Sequence, residues 1–95
     1  MFSKSDLEYL KQSPYNIVLL NNHDVTIHST VTGHDWIIVS SYGAADCYIL
    51  HRHSGRYSYH RQEGACKSLK DALIYIHQHE NWFVDHKMKL KNSMD

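Results

Sequence analysis

The chain has 95 residues, of which 42% are hydrophobic, and its ten basic and ten acidic residues give zero net charge when its nine histidines are neutral. This length predicts one domain over residues 1–95, and this hydrophobicity excludes a disordered chain. The neutral balance argues against a dedicated duplex-DNA binder, and the apolar runs are too short to span a membrane.

The first predicted element is a short helix with a capped start. Ser3 fits the N-cap and Asp6 fits the N3 position of a capping box. The helix must end before Pro14, because the residue before a proline is disfavoured in the α region. Residues 1–6 contain no apolar stretch of the secretory type, which predicts a cytoplasmic protein.

Four or five strand-like runs follow the helix and predict an antiparallel meander. They cover residues 15–20, 25–31, 36–41, 47–53 and 56–62. The run 36–41 is apolar on both faces, which predicts a central strand, and Gly43–Ala45 breaks it. Ser54-Gly55 separates the last two runs and is a two-residue hairpin signal.

The last predicted element is a long helix. Ser68 and Asp71 fit a capping pattern, and apolar residues recur behind them at helical spacing, at Leu69, Ala72, Leu73 and Ile76. Asn81 is one candidate for its end. We expect an ordered core over about residues 3–86 and a basic, frayed tail over 87–95. The fold class is therefore α+β, with this helix packed on one face of the sheet.

The hairpin divides its two strands into a histidine face and a tyrosine–arginine face, because alternate residues of a strand point to opposite sides. The first face carries Cys47, Ile49, His51, His53, Ser58 and His60. The second carries Tyr48, Leu50, Arg52, Tyr57, Tyr59 and Arg61. One of the two must cover the core, and the sequence does not say which.

The candidate partner-binding residues combine the tyrosine–arginine face with a neighbouring arginine: Tyr48, Arg52, Arg56, Tyr57, Tyr59 and Arg61. Exposed tyrosine and arginine are typical of protein interfaces. The same residue types also bind single-stranded nucleic acid, by stacking on bases and pairing with phosphates. A third interpretation makes the tyrosines a core layer beneath the final helix.

The histidine face raises the question of a metal. His51 and His60 are weak candidate ligands, with Cys47 or His53 as a third, and zinc requires three or four convergent groups. We expect no cofactor and no metal. The two cysteines, Cys47 and Cys66, have no CxxC spacing, and in a cytosolic protein they should remain thiols.

The sequence contains no phosphate-binding loop, GxSxG or HExxH motif, so we expect no enzyme. The leading hypothesis is a small non-catalytic protein-binding module. It could be a phage or mobile-element inhibitor or regulator of a larger host protein, for example an anti-defence protein. The alternatives are a single-stranded nucleic-acid-binding domain and a small zinc-binding domain. No membrane partner is expected, and the oligomeric state stays open, with a homodimer as one alternative.

Overall fold

The computed structural model describes residues 2–21, 23–40, 47–62 and 66–93, with side chains as far as Asp85. Its elements in chain order are α1 (Lys4–Gln12), β1 (Asn16–Leu20), β2 (Asp24–His28), β3 (Asp35–Ser40), β4 (Cys47–Arg52), β5 (His60–Arg61) and α2 (Leu69–Ser93). The strands form one antiparallel sheet in the order β1-β2-β3-β4-β5, which confirms the predicted α+β meander with β3 at its centre. Within the described residues, neither helix carries an apolar stretch that would cross a bilayer.

Both predicted helix starts are confirmed. At α1, the Ser3 hydroxyl accepts a hydrogen bond from the Asp6 backbone N–H, and the Asp6 carboxylate accepts one from the Ser3 N–H, each over 3.1 Å. At α2, the Ser68 hydroxyl accepts from the Asp71 N–H at 3.1 Å. These bonds satisfy backbone donors that have no partner within a helix, so the caps follow from local sequence alone.

Helix α2 does not end at Asn81 and instead continues to Ser93. Its predicted apolar stripe is buried, and Glu80 extends that stripe by one further turn. Helix α1 packs against α2 and adds the buried side chain of Leu10 to the core. The two helices therefore lie on the same side of the sheet.

The core lies between α2 and one face of the sheet, which we call the buried face. Its fully or nearly fully buried residues alternate along three strands: Val25, Ile27, Trp36, Ile38, Cys47, Ile49 and His51. The histidine face of the predicted hairpin is thus the one that faces α2. The tyrosine–arginine face points away from the helices, and we call this side of the sheet the open face.

The hairpin forms at the predicted turn, but a two-residue turn at Ser54-Gly55 would pair His53 with Arg56, and the observed pairing is shifted by two residues. Gly55 has a φ of +78°, and the Arg56 N–H donates to the His53 carbonyl at 3.1 Å. The pairing then places His51 opposite His60, and β5 is confined to two residues. A shift of two residues preserves the alternation of side chains, so the division into two faces survives.

Two predicted features of the chain path are corrected. The second strand ends at His28 and not at Val31, which lies in a turn and is 71% exposed. Cys47 and Cys66 are not thiols, because they are joined in a disulfide with their Cα atoms 5.3 Å apart. The spacing of the two cysteines in the sequence did not predict this bond, because it is the strand pairing that places them opposite each other. The predicted break at Gly43–Ala45 lies outside the described residues.

Candidate protein-binding face

The open face presents side chains from β2, β3, β4 and β5. One row runs straight across the sheet, because Thr26 pairs with Ile37, Ile37 with Leu50, and Leu50 with Arg61. Leu19 of β1 pairs with Thr26 and extends this row to the edge of the sheet. The side chains of β2, β3 and β4 on this face are half-buried, because each is shielded by its neighbours and none by a described helix.

Four of the six predicted partner-binding residues meet on the open face. The guanidinium of Arg61 lies over the Tyr48 ring and that of Arg52 over the Tyr59 ring, each 4.6 Å from the ring centre. These cation–π contacts hold two long side chains in fixed positions at the rim of the face. The remaining pair, Arg56 and Tyr57, lies in the hairpin connection, where Tyr57 is 97% exposed.

An ionic network crosses the end of the open face. The Asp35 carboxylate accepts hydrogen bonds from the Arg52 Nη2 and Nε at 2.7 and 3.2 Å, and from the His28 Nδ1 at 2.7 Å. Burial opposes ionisation of this carboxyl, but the hydrogen bonds from Arg52 and His28 outweigh it and hold the pKa of Asp35 below its usual value. The network therefore fixes three neighbouring strands and leaves Arg52 partly neutralised.

The centre of the open face is apolar, which the candidate residues chosen from sequence did not include. Ile37 and Val39 of β3 and Leu50 of β4 occupy it, all half-buried. The signal was present in the sequence, because the third strand is apolar on both faces. That pattern identified a central strand and did not say which face lacks a cover.

Strand β1 adds an apolar edge to this surface. Its four apolar side chains are 40–63% exposed: Ile17, Val18, Leu19 and Leu20. Val18 is the extra residue of a bulge in the pairing with β2. The other edge of the sheet differs, since β5 has only two residues and one of them is Arg61.

The buried face holds a second cluster of functional side chains around Glu80. Its carboxylate is 5% exposed and accepts hydrogen bonds from Ser29 at 2.8 Å, Thr32 at 3.0 Å and the Trp36 indole N–H at 2.8 Å. These donors satisfy the buried carboxylate, and all three are neutral. The Glu80 interactions connect α2 to the loop after β2 and to β3.

Histidines gather beside this carboxylate. Burial, followed by the neighbouring histidines, lowers the pKa of His51 to about 3, and burial also lowers the pKa of His34. Within the described part of the chain, His34, His51 and His53 form a group with metal-ligand spacing. Of the weak candidate ligands, His51 and His53 belong to this group, whereas Cys47 is in the disulfide and His60 is exposed and lies outside the group.

Comparison with known proteins gives no relative. No protein-family model, curated protein or solved structure matches the chain. The inferences about its function therefore depend on its own residues and their geometry.

Proposed function

We propose that this chain is a non-catalytic protein-binding module whose open face covers part of a larger protein. The observation that carries the proposal is the apolar centre formed by Ile37, Val39 and Leu50, over which no described helix packs. A half-buried apolar centre with a polar, aromatic rim has the composition of a specific interface. Tyrosine and arginine, the rim residues, are also the types that contribute most to binding energy.

Charge indicates the chemistry of the partner. The rim carries Arg61 and the nearby Arg56, whereas Asp35 is already paired with Arg52. A partner surface with an apolar patch and carboxylates around it would bury the centre and complement the rim. Strand β1 continues this surface through Leu19, so the partner could extend over the edge of the sheet.

A single-stranded nucleic acid fits this face less well. The rings of Tyr48 and Tyr59 each have a guanidinium over them, so those ring faces are covered where bases would have to stack. Arg52 donates to Asp35, and a phosphate would have to displace that carboxylate. The chain also has no excess positive charge to attract a polyanion.

The biological setting remains part of the proposal. A small chain without a recognised catalytic motif suits an inhibitor or regulator from a phage or mobile element, such as an anti-defence protein acting in the cytoplasm. The disulfide between Cys47 and Cys66 weighs against the cytoplasm, because disulfides are rare there. Alkylation of free thiols in intact cells tests the location. In the cytoplasm the disulfide should be reduced, and both cysteines should then be labelled.

The test compares partner capture by two charge substitutions. Leu50→Asp places a carboxylate in the apolar centre of the open face, and Ile74→Asp places one at an exposed position, 41% accessible, on α2. We expect the wild type and Ile74→Asp to retain the same protein after nuclease treatment of the lysate. Leu50→Asp should lose at least about tenfold of it, which corresponds to about 1.4 kcal/mol.

Circular dichroism and a melting curve must first establish that both variants fold. Equal capture by the two variants would contradict the proposal. If nuclease treatment removes all captured material, the result contradicts the proposal and favours the nucleic-acid alternative. Capture of only a second copy of this chain would instead identify a homodimer.

A further inference from the structure

We propose that His34, His51 and His53 form a binding site for a divalent transition metal of the zinc class. The ligand nitrogens of the three rings all lie within 4.8 Å of one another, and the His34 Nδ1 is 2.9 Å from the His51 Nε2. Tetrahedral zinc with Zn–N bonds of about 2.05 Å holds its nitrogens about 3.3 Å apart. Only small movements of the rings would bring these nitrogens to that spacing.

The fold brings the three histidines together from two strands. His51 and His53 are two residues apart at the end of β4, which directs both side chains to the same face. His34 comes immediately before β3, the neighbour of β4 in the sheet, next to the position that pairs with Arg52. The ligands thus come from two adjacent chain segments that the sheet fixes relative to each other.

The donor set selects the class of metal. Three neutral imidazoles suit zinc, copper and nickel, whereas magnesium and calcium prefer oxygen ligands. Burial supports the neutral form: His51 is 4% exposed and His34 is 7% exposed. A ring that carries a proton on both nitrogens has no lone pair for a metal, so this environment favours binding.

The surroundings of the cluster suit a bound cation. The Trp36 ring stacks on His51 with centroids 3.7 Å apart, and the Phe83 ring packs edge-on against His34 and His53. These contacts restrict rotation of the imidazoles. The Glu80 carboxylate, whose hydrogen-bond donors are all neutral, acts electrostatically on His34. A dication at the cluster would offset this buried negative charge.

The site also has access to solvent. His53 is exposed and lines a surface cleft with residues of the hairpin connection, among them Arg56, Ser58 and His60. A metal ion can therefore reach the cluster from this side. Three protein ligands leave the fourth tetrahedral position to a water molecule or to a group from outside the chain.

Titration of tag-free protein with ZnCl₂ after treatment with a chelator tests the proposal. We expect saturable binding of one zinc per chain by calorimetry, a higher melting temperature with zinc, and no response to MgCl₂. His53→Gln removes an exposed ligand and should fold normally, with zinc affinity at least about 100-fold weaker, since loss of supporting partners alone costs 10–100-fold. His77→Gln removes an exposed histidine of α2 that contacts Tyr15 and should bind within about twofold of wild type.

Failure of the wild type to bind one zinc would overturn the proposal. So would equal affinity of wild type and His53→Gln, because that result means weak binding scattered over the nine histidines. An equal loss in both variants would also contradict it, since His77 does not belong to the cluster.

Discussion

The two faces of the five-stranded sheet use the same strands and differ in what covers them. On the buried face, Ile38 is fully inaccessible beneath α2. On the open face its neighbour Ile37 is only half-buried, shielded by Thr26 and Leu50 on the adjacent strands. Residue type therefore does not distinguish the two faces. The distinction comes from α2, which packs against one side, whereas no described helix covers the other.

The polar groups of the two faces also behave differently. Polar side chains on the buried face are satisfied within the protein, as Glu80 is by its three donors, because water cannot replace those bonds. Polar side chains on the open face form pairs that remain accessible, such as Arg61 over Tyr48. We infer that the buried face carries stability and the metal site, and that the open face carries recognition.

The largest expected contrast comes from the adjacent isoleucines of β3. Ile38→Ala leaves a cavity beneath α2 and should lower the free energy of unfolding by about 4 kcal/mol. Ile37→Ala removes a half-buried side chain and should cost about 1 kcal/mol or less. Urea unfolding of both variants measures the difference. Equal costs would mean that the two faces are covered alike, which would remove the open face as a binding surface.

Reduction of the disulfide should have a somewhat smaller effect. The bond joins cysteines 19 residues apart and closes a loop that includes the hairpin. Loop-closure entropy predicts a loss of about 3 kcal/mol on reduction. Unfolding with and without dithiothreitol measures it, with the Cys47→Ala/Cys66→Ala double variant as the control that should not respond. Identical curves for reduced and oxidised wild type would show that the bond contributes no stability.

The most gradual expected effect is a difference in acid sensitivity between the faces, spread over several pH units and measured with chelator present. Because the folded state holds the pKa of His51 near 3 instead of 6.5, the unfolded chain binds more protons between those values. The contribution of His51 to the free energy of unfolding is fully present above pH 6.5. It declines as the pH falls, by at most about 1.4 kcal/mol per pH unit.

The open face should respond only at lower pH. The pKa of Asp35 lies below its usual value of 3.8, so the stability from its network is present above that pH and is lost as the pH falls further. Melting temperatures from pH 7 to pH 3 should therefore decline first through the buried face. His51→Gln should flatten the decline between pH 6 and pH 4. An unchanged slope in that variant would exclude His51 as its source.

The sequence predicted most of the fold, because its elements have local signals. Caps at Ser3 and Ser68 satisfy backbone donors within one turn, and an apolar stripe defines the inner side of α2. The division of the hairpin into two faces was also predictable, because successive side chains of a strand point to opposite sides of the sheet. The end of α2 was not, because a single asparagine does not overcome helix propagation on both sides.

The candidate sites were predicted only in part. Four of the six candidate partner-binding residues lie together on the open face, but the apolar centre between them was missed. His51 and His53 were among the weak metal candidates, whereas His34 was not, because its proximity depends on the pairing of β3 with β4. His60 and Cys47 were chosen from the hairpin alone and are not members of the cluster.

By itself, the amino-acid sequence determined the order of the elements, their caps and the two sets of side chains that the strands present to opposite sides. These features depend on backbone geometry and on neighbours within a few residues. Tertiary structure alone decided which set is buried, which cysteines bond and which histidines meet. Those outcomes depend on where α2 lies and on strand register, and both arise from contacts between residues distant in the chain.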